Sequence, residues 1–263
     1  MILELKESNL YLNRQGKIMI AENYYLGAYW GNRNEDYEQC VSRVKNFLQE
    51  LGRVDDIFMK WFLRGGSRKE ALSKQLSLDD AVIRELLEGG RNKTDIGDKI
   101  IENLGYQIGL WNGQPEERDG VGLSIHCGMH STKTNLFNCI VMNLPSDGES
   151  FEKVVSSEVF TDLVKIVVNC WEPDWAVATP TSIRKRKEVS KGSPYYGWIL
   201  YLDKRRGKVP DLPFPAKKEV IGDYGTVIIC LEERLDVKKQ EHMDSITKTY
   251  KILQKNHLLG PIQ

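Results

Sequence analysis

Two histidines give this 263-residue chain its most suggestive spacing for chemistry: SIHCGMHS holds His126, Cys127 and His130. On a helix a His-x-x-x-His pair sets both rings on one face, the spacing of zinc sites. The segment reads as a strand, where residues 126 and 130 share a face about 13 Å apart. No acidic or cysteine cluster accompanies them, so a strand end is favoured over a metal site. The pair still defines the competing function, a hydrolase using His126 or His130. The pieces RGGSRKE and EGGRNKTD have the composition of phosphate loops. Neither follows an apolar strand or matches a P-loop or dinucleotide pattern, and helix capping explains them better. There is no GxSxG elbow. The carboxylate pairs Asp55-Asp56, Asp79-Asp80, Glu116-Glu117 and Glu232-Glu233 fall at element ends or turns. Acids there are solvated or capping, so no catalytic set emerges.

Binding chemistry is the other possibility. The basic run Arg184-Lys185-Arg186-Lys187, with Lys204-Arg205-Arg206, could touch phosphates. Against that, 37 Lys+Arg balance 37 Asp+Glu, which removes the uniform basic field of a nucleic-acid binder. Both runs lie in Gly- and Pro-bounded links, where charge blocks mark solvated loops. Aromatic residues are more telling. Tyr24, Tyr25, Tyr29 and Trp30 crowd one segment, and Trp111, Trp171, Trp175 and Trp198 sit at element ends. Most belong in a core, while those beside polar loops suit a protein interface.

The elements that must position these residues follow from periodicity. YYLGAYW (24–30) reads as a strand, and the segment after it as a helix capped by Asn32 or Asn34 and stopped by Gly52. DDIFMKWFLRGG predicts a short helix, SLDDAVIRELLEGG another capped by Ser77, and 95–104 a last short one. Strands are expected at 106–113, 120–129 and 137–145, the first two forming a hairpin across QPEERD. Residues 149–171 carry apolar side chains at helical period. Strands at 174–179, 197–203 and 225–233 follow, with IRKRKEVSKGSP an exposed loop and KVPDLPFPAK irregular because proline cannot donate to a ladder. A final helix runs from near Val237 towards Asn256. The resulting fold class is α+β, a mixed or mainly antiparallel sheet packed by helices. The expected unit is a single 1–263 domain with two βαββ-like halves, 24–145 and 137–256.

Composition sets the outer limits. With 41% hydrophobic and 28% charged residues the chain is globular. No apolar run reaches the ~18 residues of a membrane span, and the charged start MILELKESNLYL is unlike a secretory signal. The cysteines Cys40, Cys127, Cys139, Cys170 and Cys230 are odd in number and widely spaced, which suits free thiols in a cytoplasmic protein. No cofactor, membrane or direct nucleic-acid partner is expected.

The order of motifs resembles the immunity protein 52 family: YYLGAYWGNRNEDYEQCVSRVKNFLQELGRVDDIFMKWF, GGSRKEAL, SLDDAVIRELLEGGRNKTD, LGYQIGLWNG and GLSIHCG. The likeness continues through NCIVMNLP, WEPDWAVAT, GWILYL and KVPDLP into GTVIICLEE. The resemblance implies a bacterial immunity protein of a polymorphic toxin system, non-enzymatic and α+β. Its partner would be a cognate restriction-endonuclease-like nuclease toxin, delivered by type VI secretion. DWAVATPTSIRKRKEVSKG is less like the family pattern, which suits a partner-specific surface. A nuclease presents a basic, metal-binding groove, which acidic side chains with aromatic anchors would complement. On loop position and charge, the toxin-interface candidates are Trp111, Asn112, Glu116, Glu117 and Asp119.

Overall fold

The aromatic segment 24–30 becomes the middle of a sheet, in a computed structural model that describes residues 10–12, 18–20, 22–131, 136–184 and 192–262. In chain order, a hairpin of β1 (Leu10–Leu12) and β2 (Ile18–Ile20) precedes β3 (Tyr24–Trp30) and helix α1 (Tyr37–Leu51). Next come β4 (Phe62–Leu63), α2 (Arg68–Leu72), α3 (Asp80–Gly89), β5 (Tyr106–Trp111), β6 (Gly122–Cys127) and β7 (Asn138–Asn143). Helices α4 (Gly148–Val154) and α5 (Ser157–Trp171) lead to β8 (Trp175–Pro180), α6 (Thr181–Arg184) and β9 (Ile199–Asp203). Strands β10 (Lys217–Ile221) and β11 (Gly225–Ile229) and helix α7 (Gln240–Lys255) complete the fold.

Nine strands form one sheet in the order β10-β11-β9-β8-β3-β7-β6-β5-β4, with every neighbouring pair antiparallel. The class is α+β, as the sequence implies. The central neighbours β3 and β7 each lead into helix, β3 into α1 and β7 into α4 and α5. The chain then adds β5 and β6 on one flank and β8 and β9 on the other, entering the first from outside and the second from inside.

One face of the sheet carries α1, α3 and α5. Trp30 meets Trp171 of α5 at 5.5 Å between ring centroids, and Phe47 of α1 meets the same indole at 6.0 Å. Residues alternate along a strand, so Tyr25, Gly27 and Tyr29 point to the second face. Over β9 and β11 that face is closed by α7, where Tyr250 stacks on Tyr196 at 4.1 Å and Ser245 Oγ donates to the Cys230 carbonyl at 3.1 Å. Over β5, β6 and β7 it stands partly open.

Several local expectations are corrected. Helix α1 is capped by Asp36, in a reciprocal box with Gln39, rather than by Asn32 or Asn34; Gly52 does end it. The segment 55–66 forms a 3-10 turn at Asp56–Phe58 and then β4, not a helix, because Phe62 pairs with Trp111. Asp79 precedes α3 without a side-chain cap bond, and Ser77 Oγ donates to the Asp79 carboxylate instead. In 95–104 only Glu102–Leu104 is helical. The stretch 149–171 breaks into two helices because Ser156 Oγ accepts from Val159 N–H at 3.2 Å, starting α5 afresh. Ile183 and Arg184, the start of the expected loop, belong to helix α6, α7 begins at Gln240, and the edge strand β10 follows the irregular proline link. Lys185, Arg186 and Lys187 lie outside the described residues.

Candidate functional site

At the open end of the sheet, the β5–β6 hairpin and the β4–α2 connection face each other across a groove of about 510 Å³. Trp111 ends β5, opposite Phe62 of β4 and Gly122 of β6. Its ring centroid lies 6.0 Å from that of Phe62. The indole N–H is buried and has no hydrogen-bond partner, so Trp111 lines the groove with carbon. Ala71 and Val121 add further apolar lining.

The hairpin wall is held rigidly. Asn112 is buried, its N–H donates to the Val121 carbonyl at 3.1 Å, and its Oδ1 accepts from Val121 N–H at 2.9 Å. Gly113 sits at φ +76°, where a Cβ would come within 2.4 Å of the Phe62 ring, so only glycine fits the turn. A 3-10 turn at Glu117–Asp119 then lifts Glu116 and Glu117 into solvent. Ser146 N–H donates to the Arg118 carbonyl at 2.8 Å, tying the loop to the chain after β7.

The facing wall comes from RGGSRKE. Ser67 Oγ accepts from Glu70 N–H at 3.2 Å, and Gly66 N–H donates to Glu70 Oε2 at 2.8 Å. A Cβ on Gly65 would lie 2.8 Å from Ala71 N. The glycines therefore serve a tight helix start, as capping requires, and Arg64 and Arg68 project beside it as exposed side chains lining the groove.

The structure thus gathers Trp111, Glu116 and Glu117 in one groove. Asn112 lies beneath, in the frame of the loop. Asp119 is half-buried, with Oδ1 within 3.5 Å of a Cβ on Gly148, and does not line the groove. Arg64 and Arg68 are the groove residues that sequence reading missed, since nothing in RGGSRKE announces its pairing across β4 to Trp111.

The histidines do not converge. His126 sits on the open face between Gln107 and Cys139, and burial holds its pKa below the ordinary 6.5. His130 lies beyond the strand, Nδ1 3.2 Å from the Gly128 carbonyl oxygen. Among the described residues no group of three His, Cys, Asp or Glu side chains is placed to hold a metal. Burial pushes the Cys139 thiol up to about 11, which leaves it protonated and a poor nucleophile at neutral pH.

Within the two basic runs, Arg184, Arg205 and Arg206 are engaged internally. Arg184 lies over the Tyr25 ring at 5.3 Å, Arg205 pairs with Asp203 at 2.7 Å and Asp174 at 3.0 Å, and Arg206 donates to backbone carbonyls of Asp174 and Gly260. A second cavity of about 590 Å³ at the far end of β3 is lined by Arg33, Arg43, Glu172, Asp174, Asp203 and Arg205. These charges already pair with one another or with Glu35.

No curated protein matches the chain. Among solved structures, the Pseudomonas aeruginosa T6SS protein PA0821 superposes with a TM-score of 0.54 at 12% identity, over 92% of this chain and 76% of that one. That likeness is one of fold. The sequence model of a family described as immunity protein 52 matches residues 22–262.

Proposed function

The chain belongs to the immunity protein 52 family, and on that footing we propose that it binds and neutralises a cognate nuclease toxin by stoichiometric protein–protein inhibition. The observation that carries this reading is the groove floored by Trp111, with exposed charges on both walls. An apolar centre ringed by charge is the anatomy of a protein interface, where a buried aromatic anchors and rim charges steer approach. Glu116 and Glu117 would face a basic side chain of the toxin, and Trp111 would take an apolar one. Inhibition follows from occupancy: while the toxin is held, its substrate cannot reach it or its active assembly cannot form. No bond is made or broken.

The fold shared with a T6SS protein supports a toxin delivered by type VI secretion. No helix among the described residues is long and apolar enough to cross a membrane. The proposed place of action is the cytoplasm, where such a nuclease would meet its DNA. Co-expression with the product of the adjacent toxin gene tests the reading. Rescue of growth, a co-purifying complex of fixed ratio, and loss of DNA cleavage only as that ratio is reached are expected. Rescue by trace amounts, or turnover of a substrate by the purified chain alone, would overturn it in favour of an enzyme.

A further inference from the structure

The groove carries charge of both signs, and the signs are kept apart. Glu116 and Glu117 stand on the hairpin wall, Arg64 and Arg68 on the β4–α2 wall, and Trp111, Ala71 and Val121 lie between. All four charged side chains are exposed. Other facing charges in the molecule do close on one another, as in Arg234–Glu152 at 2.9 Å, Lys165–Glu219 at 2.8 Å and Arg91–Glu88 at 2.7 Å. Among the described residues Arg64, Arg68, Glu116 and Glu117 enter no ion pair, with each other or with any neighbour. Each wall is tied down within itself. The hairpin is fixed by Asn112 and the Arg118–Ser146 bond, and the opposite wall by the Ser67 and Glu70 caps.

Resting on the immunity reading, we infer that the groove takes a bipolar segment of the toxin: an apolar side chain on Trp111, flanked by a cation facing Glu116 and Glu117 and an anion facing Arg64 and Arg68. A uniformly basic surface, such as a nucleic-acid-binding cleft, would satisfy the acidic wall while meeting two arginines opposite. Like charges brought together suppress binding, so the arginine wall selects against that mode and fixes the direction in which the segment lies. The toxin surface held is then one of mixed charge, outside its DNA-binding cleft.

The test compares Arg64→Glu/Arg68→Glu with Glu116→Lys/Glu117→Lys, using immobilised toxin made inactive by an active-site substitution. All four side chains are exposed and outside any ion pair, so thermal unfolding of both variants should stay close to that of the unaltered protein. The expected result is slower association, by about tenfold, for both variants, with Arg64→Gln/Arg68→Gln intermediate. If reversing the arginine wall leaves association unchanged or faster, the bipolar segment is wrong and a basic surface is the occupant, while the immunity reading survives. If the unaltered protein does not bind the toxin, both fall together.

Discussion

The second face of the sheet differs between its two halves, and the difference separates what this protein needs in order to fold from what it offers to a partner. On β8 and β9 every residue is buried, from Trp175 to Pro180 and from Ile199 to Asp203. Helix α5 covers one side there; on the other, Tyr195 packs on Trp175, Tyr250 of α7 stacks on Tyr196, and Ser245 of α7 bonds the Cys230 carbonyl. On β5, β6 and β7 burial alternates. Ile108, Leu110, Leu123, Ile125, Ile140 and Met142 are buried, while Gln107, Gly109, Ser124, His126, Val141 and Asn143 are exposed or half-exposed. A strand covered twice reads as continuous apolar sequence, and one covered once reads as alternation. The groove lies at the end of the alternating half.

The sharpest way to break this comparison is to remove matched apolar groups from each half. Leu200 points away from α5 and is 3% exposed; Leu200→Ala should cost about 2–5 kcal/mol by urea unfolding, a transfer loss plus a cavity. Val141 occupies the corresponding face of β7 and is half-exposed, so Val141→Ala should cost roughly 1 kcal/mol or less. Equal losses would mean that the second half is covered in solution as well.

Next in size is Trp111→Ala. As the central aromatic of the groove it should weaken toxin binding by about 2 kcal/mol or more, the scale of an interface anchor. Calorimetric titration measures this, and undiminished affinity would move the interface elsewhere. Asn112, one residue along, should behave in the opposite way. Its Oδ1 is the acceptor of a buried backbone N–H, so Asn112→Ala should lower stability by about 1–3 kcal/mol. Its association rate with toxin should hold at temperatures where it stays folded. Adjacent residues would then divide between frame and contact.

The contrast between the halves was legible in part, because WAVA and ILYL are unbroken apolar runs while GLSIHC alternates; CIVM in β7 is as apolar as the covered strands, and its alternation shows only in burial. What periodicity could not convey was long-range pairing. Strand β4 is only Phe62–Leu63 and exists because it finds Trp111 and Leu110. Strand β10 is KKEVI, charged and exposed as edge strands tend to be, so it lacks the apolar signal of an inner strand. The groove inherits that blindness. Its hairpin wall is local and its residues were found, whereas its arginine wall depends on β4 finding β5. Asn112 and Asp119 share the loop position and polarity of Glu116, and only the fold tells that one is buried and the other turned away from the groove.

The smallest effect concerns His126, on the open half between Gln107 and Cys139. Burial lowers its pKa from 6.5, so the folded state binds fewer protons than the unfolded chain as pH falls through that value. The penalty is absent well above pH 6.5, grows as pH falls below it, and is complete once the folded value is passed. Stability should therefore decline on acidification through this window, and His126→Gln should flatten the decline. The Cys139 thiol titrates near 11 and takes no part. The same histidine reports how far the toxin spreads. A partner lying across the open face would bury His126 further and deepen the shift, so affinity would fall between about pH 7 and pH 5 in the unaltered protein and much less in His126→Gln. A partner confined to the groove would leave the two proteins with the same pH dependence of binding, and the open half would then be bare sheet rather than an extension of the interface.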